Sequence, residues 1–224
     1  MIILRRQTVS FNQTKGLTND ISLEIERKKV GILGGTFNPP HVGHLIIADQ
    51  VCRKLDLDKL YFMPSANPPH RNGKKAIPAS YRLEMVETAI ENNGCFDVER
   101  AEIKRGGKSF TYDTMVQLVR ENPDIDYYFI IGGDMVDYLP KWYKIDKLVD
   151  LVQFVGVNRP GYVATTGYPI IWVDVPSMNI SSTLLREKLK MNDSVRYLIP
   201  DQTLKYIHEK GLYQNGDKIN GRTL

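Results

Sequence analysis

The sequence predicts an α/β fold, a parallel sheet with helices on its faces, and three observations carry that expectation. Apolar, β-rich runs at 29–33, 59–63, 127–131, 152–157 and 170–173 alternate with amphipathic segments at 44–55, 80–92, 112–121 and 181–190. Such alternation marks repeated strand and helix units around one sheet. Two of the strand runs end alike, in VGILGGT and YFIIGGD, and paired glycines at strand ends let backbone approach a ligand in the crevice that open α/β sheets use for binding. The 224 residues are 42% hydrophobic and 25% charged, which supplies one core and excludes a disordered chain, a collagen-like repeat and a coiled coil.

Taken in order, residues 1–27 are polar, mixed in charge and without period, so they read as an arm ahead of the first strand. The opening MIILRRQTV places its apolar patch before its arginines, the reverse of a secretory signal. The longest apolar stretches run only a few residues, as at 45–48, far short of the roughly 18 that span a bilayer. A cytoplasmic protein without a membrane partner is expected. The first helix turns Leu45, Ala48, Val51, Cys52 and Leu55 onto the sheet. The second repeats the spacing with Leu83, Val86, Ala89 and Ile90, with Ser80 expected as its cap. A short strand is expected within 96–103. Pro200 and Asp201 open a last helix through Leu204 and Ile207, which Gly211 stops. The boundaries are an arm at 1–28, one Rossmann-like domain at 29–213 and a tail at 214–224.

Lys and Arg number 30 against 26 Asp and Glu, a net charge of +4, too weak to imply a nucleic-acid groove. Cys52 and Cys95 form no C-x-x-C pair, and Cys52 falls on a helix as small core filler, so neither a disulfide framework nor a zinc site is expected. Nothing in the sequence fixes oligomeric state, and a homo-oligomer stays open.

The chemistry concentrates after the first strand, in Gly34-Gly35-Thr36-Phe37-Asn38-Pro39-Pro40-His41-Val42-Gly43-His44. Two histidines three apart at a helix start share one side of its first turn with unpaired N–H groups and the positive end of the helix dipole. That is an anion site with two added donors, suited to charge that builds on a phosphorus under attack. A metal reading needs a third ligand that neither cysteine supplies nearby. A Walker loop is excluded because Glu102 stands where the glycine five residues before Gly107 would be, and Gly31-x-x-Gly34-Gly35 fails the dinucleotide fingerprint. Late in the chain, Ile180-Ser181-Ser182-Thr183-Leu184-Leu185-Arg186 sets three hydroxyls and an arginine at a helix start. Alone this reads as an N-cap; paired with the histidine run it reads as a second polyphosphate clamp.

Together G-G-T-F-N-P-x-H-x-G-H and I-S-S-T-x-x-R resemble the HxGH nucleotidyltransferase superfamily and, within it, the nicotinate mononucleotide adenylyltransferases, over roughly 29–213. The resemblance implies that ATP lies against Gly34, Gly35, Thr36, Phe37, His41, His44, Gly132, Ser182, Thr183 and Arg186, with Asp134 on the ribose. His41, His44 and Arg186 are then the catalytic residues, and Mg²⁺ arrives on the ATP phosphates. Three segments favour the nicotinate family: 63–71, similar to its P-x-x-P-P-H-K loop; Ser109-Phe110-Thr111-Tyr112-Asp113-Thr114, similar to S-Y-T-x-D-T; and Lys141-Trp142-Tyr143. By that resemblance Asn67, His70, Arg71, Thr111, Tyr112, Trp142 and Tyr143 face nicotinate mononucleotide, the indole on the pyridine ring and backbone amides on its carboxylate. Arg71 stands where the family carries lysine, which keeps the charge and changes its geometry. The same residues also have plainer uses: Ser109 or Thr111 as a helix cap, Trp142 as packing, Asp134 as a turn residue. Rivals with the histidine motif are adenylyltransferases for nicotinamide mononucleotide or phosphopantetheine, an aminoacyl-tRNA synthetase fragment, and a nucleotide-binding module without turnover.

Overall fold

A computed structural model describes residues 27–67, 76–158, 166–176 and 178–214, with the backbone of 218–219 and 222–223. The chain runs β1 (Lys28–Gly35), α1 (Val42–Lys54), β2 (Lys59–Pro64), α2 (Ala79–Ile90), β3 (Phe96–Val98), α3 (Ala101–Arg105), α4 (Thr111–Glu121), β4 (Ile125–Gly132) and α5 (Gly133–Val136). A 3-10 turn at Leu139–Lys141 leads into α6 (Ile145–Leu148), β5 (Gln153–Asn158), β6 (Ile170–Asp174), α7 (Ser182–Lys190) and α8 (Asp201–Glu209). A small antiparallel pair follows, β7 (Lys218–Ile219) with β8 (Arg222–Thr223).

The six main strands form one sheet in the order β3-β2-β1-β4-β5-β6, every pairing parallel. Strand order therefore reverses between β1 and β4, and the crevice at their carboxyl ends is where open sheets of this kind bind ligands. Gly34-Gly35 and Gly132-Gly133 occupy those two ends.

Period-two alternation divides the sheet between two cores. Tyr128 and Ile130 of β4 join Ala48 and Val51 of α1 and Val86 and Ile90 of α2 on one face. Tyr127, Phe129 and Ile131 join Met115 and Leu118 of α4 and Ile145 and Leu148 of α6 on the other. Phe62 and Phe154 are each 1% exposed, and burying such a ring contributes roughly 1.5–3 kcal/mol. A third cluster packs Leu185, Val195, Ile199 and Ile207 of the C-terminal part against Met85 of α2. This cluster brings α7 back to the histidine loop.

Several local expectations are corrected. Ser80 lies inside α2, whose N-cap is Pro78 with no side-chain cap bond, because Pro78 already fixes the extended entry. Strand character ends at Val98, and 101–105 is the helix α3, released by Gly106, whose φ of +66 and ψ of −170 suit glycine alone. The cysteines are joined: Cys52 near the end of α1 and Cys95 before β3 form a disulfide across 43 residues of chain. The sequence offered no motif for it, because the pairing depends on two distant segments meeting beside β2. Gly211, at φ +62, follows the end of α8 as expected. The arm at 1–26 lies outside the described residues. Among the described residues no helix is long and apolar enough to cross a membrane.

Candidate active site

The two sequence motifs meet at the carboxyl edge of the sheet. After β1 the chain passes through Phe37, at φ +49 and 2% exposed, and a cis Asn38–Pro39 peptide before entering α1 at His41. Arg186 Nη1 donates to Asn38 O at 2.7 Å, Ser182 Oγ donates to Pro39 O at 2.8 Å, and Tyr213 Oη donates to the buried Asn38 Oδ1 at 2.7 Å. Val42 N adds a bond to Leu198 O at 3.0 Å. The C-terminal part thus holds the histidine loop through four hydrogen bonds across more than 140 residues of sequence.

The histidine rings lie side by side, centroids 3.8 Å apart and planes at 30°. His41 N–H donates to His44 Nδ1 at 3.1 Å, so Nδ1 carries no proton and the neutral imidazole presents Nε2–H as its donor. Phe37 packs edge-on beneath the His44 ring at 5.0 Å; its side chain is core, and what it offers a ligand is backbone. Burial pushes the His41 pKa down to about 4 and, together with the neighbouring His41, that of His44 well below its ordinary value. Both imidazoles are therefore neutral at pH 7, and each offers a phosphate an uncharged N–H donor. His41 Nδ1 and Ser65 Oγ at the end of β2 are buried without a hydrogen-bond partner among the described residues, a cost of about 1–3 kcal/mol each that a polar ligand or water relieves. The glycine between the histidines is explained sterically. A Cβ at Gly43 would lie 3.0 Å from His41 Nδ1, closer than the ring tolerates without turning.

At the start of α7, Ser181 Oγ accepts from Leu184 N at 3.2 Å and is the N-cap. Ser182 has its proton committed to Pro39, so toward a phosphate it has its backbone N–H. Thr183 Oγ1 accepts from Arg186 Nη2 at 3.1 Å, which leaves its own proton for a further acceptor. Gly132 ends β4 and Asp134 follows in α5, but the Asp134 side chain lies outside the described part.

A second group assembles on the other side of the crevice. Thr111 and Tyr112 open α4, whose N-cap is Phe110 without a side-chain cap bond, so neither Ser109 nor Thr111 caps the helix. Tyr143 packs against Phe110 at 4.8 Å and against Tyr112 at 6.1 Å. Trp142 stands edge-on to Phe129 and Phe154, at 6.0 Å from each, half-buried at the margin of the core. Asn67 forms a parallel bridge with Lys108. His70 and Arg71 lie outside the described residues.

Sequence reasoning missed the residues that join the two groups. Arg82, 1% exposed, donates from Nη1 to Thr36 O at 2.8 Å, from Nη2 to Ala66 O at 3.2 Å and from Nε to Ile77 O at 3.0 Å. One buried guanidinium thereby ties the loops after β1 and β2 to the start of α2, each charged bond contributing about 1.5–3 kcal/mol. The signal was present: Arg82 falls three and four residues before Met85 and Val86, in phase with the buried face of α2. Ser109, the first residue of the segment likened to S-Y-T-x-D-T, accepts from Ala66 N at 3.0 Å and Asn67 N at 3.3 Å.

The cytidylyltransferase-like family matches residues 32–188 of the chain. A protein of Enterococcus faecalis named "Probable nicotinate-nucleotide adenylyltransferase" is 59% identical over 189 residues, 84% of this chain and 86% of its own length. One of the same name from Lactiplantibacillus plantarum is 55% identical over 211 residues, 94% of this chain and 100% of its own. Among solved structures, Plasmodium falciparum nicotinic acid mononucleotide adenylyltransferase complexed with NaAD matches with a TM-score of 0.70 at 20% identity, covering 83% of this chain and 97% of that one; this likeness speaks for the fold. With the histidine loop, the switch point and the start of α7 inside the matched span, the chain belongs to the cytidylyltransferase-like family and, within it, to the nicotinate-nucleotide adenylyltransferases.

Proposed function

We propose that this chain transfers the adenylyl group of ATP to nicotinate mononucleotide, giving nicotinate adenine dinucleotide and pyrophosphate. The observation that carries the reading is the junction at Asn38 and Pro39, where the histidine loop and the start of α7 are held together beside the β1/β4 switch point. Two helix N-termini, two imidazoles and a guanidinium then converge on one polyanion.

In the reaction a 5′-phosphate oxygen of the mononucleotide attacks the α-phosphorus, and the bond from that phosphorus to the β-bridging oxygen breaks in line. The nucleophile is already ionised at pH 7, so positioning and electrostatics suffice and no covalent intermediate forms. His44 Nε2–H and His41 donate to phosphate oxygens as charge builds, and the arriving triphosphate raises their proton affinity. Arg186 steadies the leaving pyrophosphate. Gly34, Gly35, Thr36 and Phe37 offer backbone to ATP, Thr183 and the Ser182 amide complete the phosphate clamp, and Gly132 and Asp134 serve the ribose. Across the crevice the amides opening α4 and that of Tyr143 receive the nicotinate carboxylate, and Trp142 covers the ring, with Tyr112, Asn67, His70 and Arg71 completing the pocket. Mg²⁺ would come with the ATP phosphates as part of the substrate, would offset their charge there and would keep much of its water. The reading makes 29–213 one catalytic domain acting in the cytoplasm on small molecules, with no nucleic acid or membrane.

Incubation with Mg-ATP and, separately, nicotinate mononucleotide, nicotinamide mononucleotide or phosphopantetheine tests it. Preferential nicotinate adenine dinucleotide with stoichiometric pyrophosphate is the expected result. Equal use of the nicotinamide substrate would overturn the carboxylate pocket alone, and binding of ATP without pyrophosphate release would overturn turnover itself.

A further inference from the structure

The proposed carboxylate pocket draws on two separate stretches, the opening of α4 at Thr111 and the turn at Tyr143, and one cation reaches both. The Lys144 ammonium lies over the Tyr112 ring and over the Tyr143 ring, 4.8 Å from each centroid. Those rings meet at 79° with their centroids 6.1 Å apart, so the charge sits in the angle between them. Tyr112 directly follows Thr111, and Tyr143 carries the second amide of the pocket. A lysine ammonium is charged at pH 7, and a ring face holds a cation without neutralising it.

The backbone fixes where this side chain starts. Lys144 has a φ of +53 and a ψ of +41, a left-handed conformation that residues with a Cβ seldom adopt. Hydrogen bonds hold it there: Ile145 N donates to Trp142 O at 3.3 Å, and Lys147 N and Leu148 N both donate to Lys144 O at 3.0 Å. Ile145 and Leu148 are buried and anchor α6 in the core, while Lys144 itself stays exposed. The charges on either side are directed elsewhere. The Lys141 ammonium lies over Tyr138 at 4.6 Å, and Asp146 accepts from Tyr168 Oη at 3.1 Å.

Asp113 places a carboxylate in the first turn of α4, where it offsets part of the positive end of the helix dipole and opposes a second anion. We propose that Lys144 is a specificity-determining residue, whose ammonium supplies the positive charge that favours nicotinate over nicotinamide mononucleotide. The inference rests on the proposed function, because it concerns the charge around the same carboxylate. The two mononucleotides share phosphate, ribose and pyridinium and differ by one negative charge, so a fixed cation beside the pocket acts on their ratio. Its effect crosses a partly hydrated gap, which makes it severalfold in size.

Steady-state kinetics of the unaltered chain and of Lys144→Met, Lys144→Arg and Lys147→Met test it. The ratio of kcat/KM between nicotinate and nicotinamide mononucleotide is taken at about 0.1 M and about 1 M salt, where screening lengths are about 10 Å and about 3 Å. Lys144→Met is expected to lower the nicotinate preference about fivefold at the lower salt, chiefly through KM for nicotinate mononucleotide. At the higher salt the loss should fall below about twofold, and KM for ATP should move less than about twofold at either. Methionine keeps the unbranched stem and the same backbone conformation at an exposed position, so folding is preserved. Lys144→Arg keeps the charge and should restore most of the preference. Lys147→Met removes the same charge one turn further along α6 and should change the ratio by less than about twofold. An unchanged ratio in Lys144→Met, equal changes for both mononucleotides, or an arginine variant no better than methionine would overturn the proposal while the function stands. Failure of the unaltered chain to prefer nicotinate mononucleotide would overturn the function and this inference with it.

Discussion

The two sides of the crevice are built differently. On the side proposed for ATP the candidate residues sit in two short contiguous runs, 34–44 and 181–186, which close on each other through side-chain bonds to Asn38 and Pro39. On the proposed pyridine side Asn67, Ser109, Thr111 and the 142–143 pair come from separate segments, joined by bonds from Ala66 N to Ser109 and from Arg82 to Ala66 O and by ring contacts between Phe110 and Tyr143. Nucleotidyl transfer at phosphorus needs a few donors at fixed spacing, which a loop entering a helix supplies locally. A flat ring and its carboxylate need walls on several sides, which one segment cannot provide.

The contrast predicts different failures. His44→Ala removes the Nε2–H donor and is expected to lower kcat by about 10²–10³, the usual cost of one positioned transition-state donor, with nicotinate and nicotinamide substrates affected alike. A folded His44→Ala protein with near-normal turnover would break the division of labour between the two sides.

Acid should strike the histidine loop. His41 has its pKa near 4 when folded against about 6.5 when unfolded, so as pH falls through 6.5 the unfolded chain takes up a proton that the folded site resists. Stability is therefore full above that pH and is lost between about 6.5 and 4, by roughly 3 kcal/mol from this group. Urea unfolding at pH 7.5 and 4.5, compared with His41→Asn, isolates it; equal pH dependence in the two proteins would remove the buried neutral imidazole from the account.

The smallest effect belongs to the ring wall. Trp142→Ala should raise KM for nicotinate mononucleotide about tenfold, in line with lost aromatic stacking, while KM for ATP stays put. A rise confined to ATP would reverse the assignment of the two sides.

Strand and helix identity followed from local pattern because the runs around 30, 60, 130, 155 and 172 need no partner to declare their period. The paired glycines at two strand ends, the histidine pair and the hydroxyl-arginine run were legible for the same reason: each is contiguous, with its spacing set along one loop or helix turn. Resemblance then supplied the substrates. The pyridine segments were found only through that resemblance, since Thr111 or Trp142 alone has an equally good packing role.

Tertiary structure decided what spacing cannot encode. Strand order, with its reversal between β1 and β4, depends on which strands pair across distances of up to about a hundred residues. The neutral state of both histidines comes from burial under the folded loop, and the identity of the His44 donor comes from one backbone N–H at His41. Arg82 shares the phase of the buried face of α2, but only folding surrounds its guanidinium with the carbonyls of Thr36, Ala66 and Ile77. The Cys52–Cys95 disulfide belongs to the same class. A sequence fixes the period of an element and the chemistry of a contiguous turn, whereas the environment of a buried polar group is assembled from distant chain and exists only in the fold.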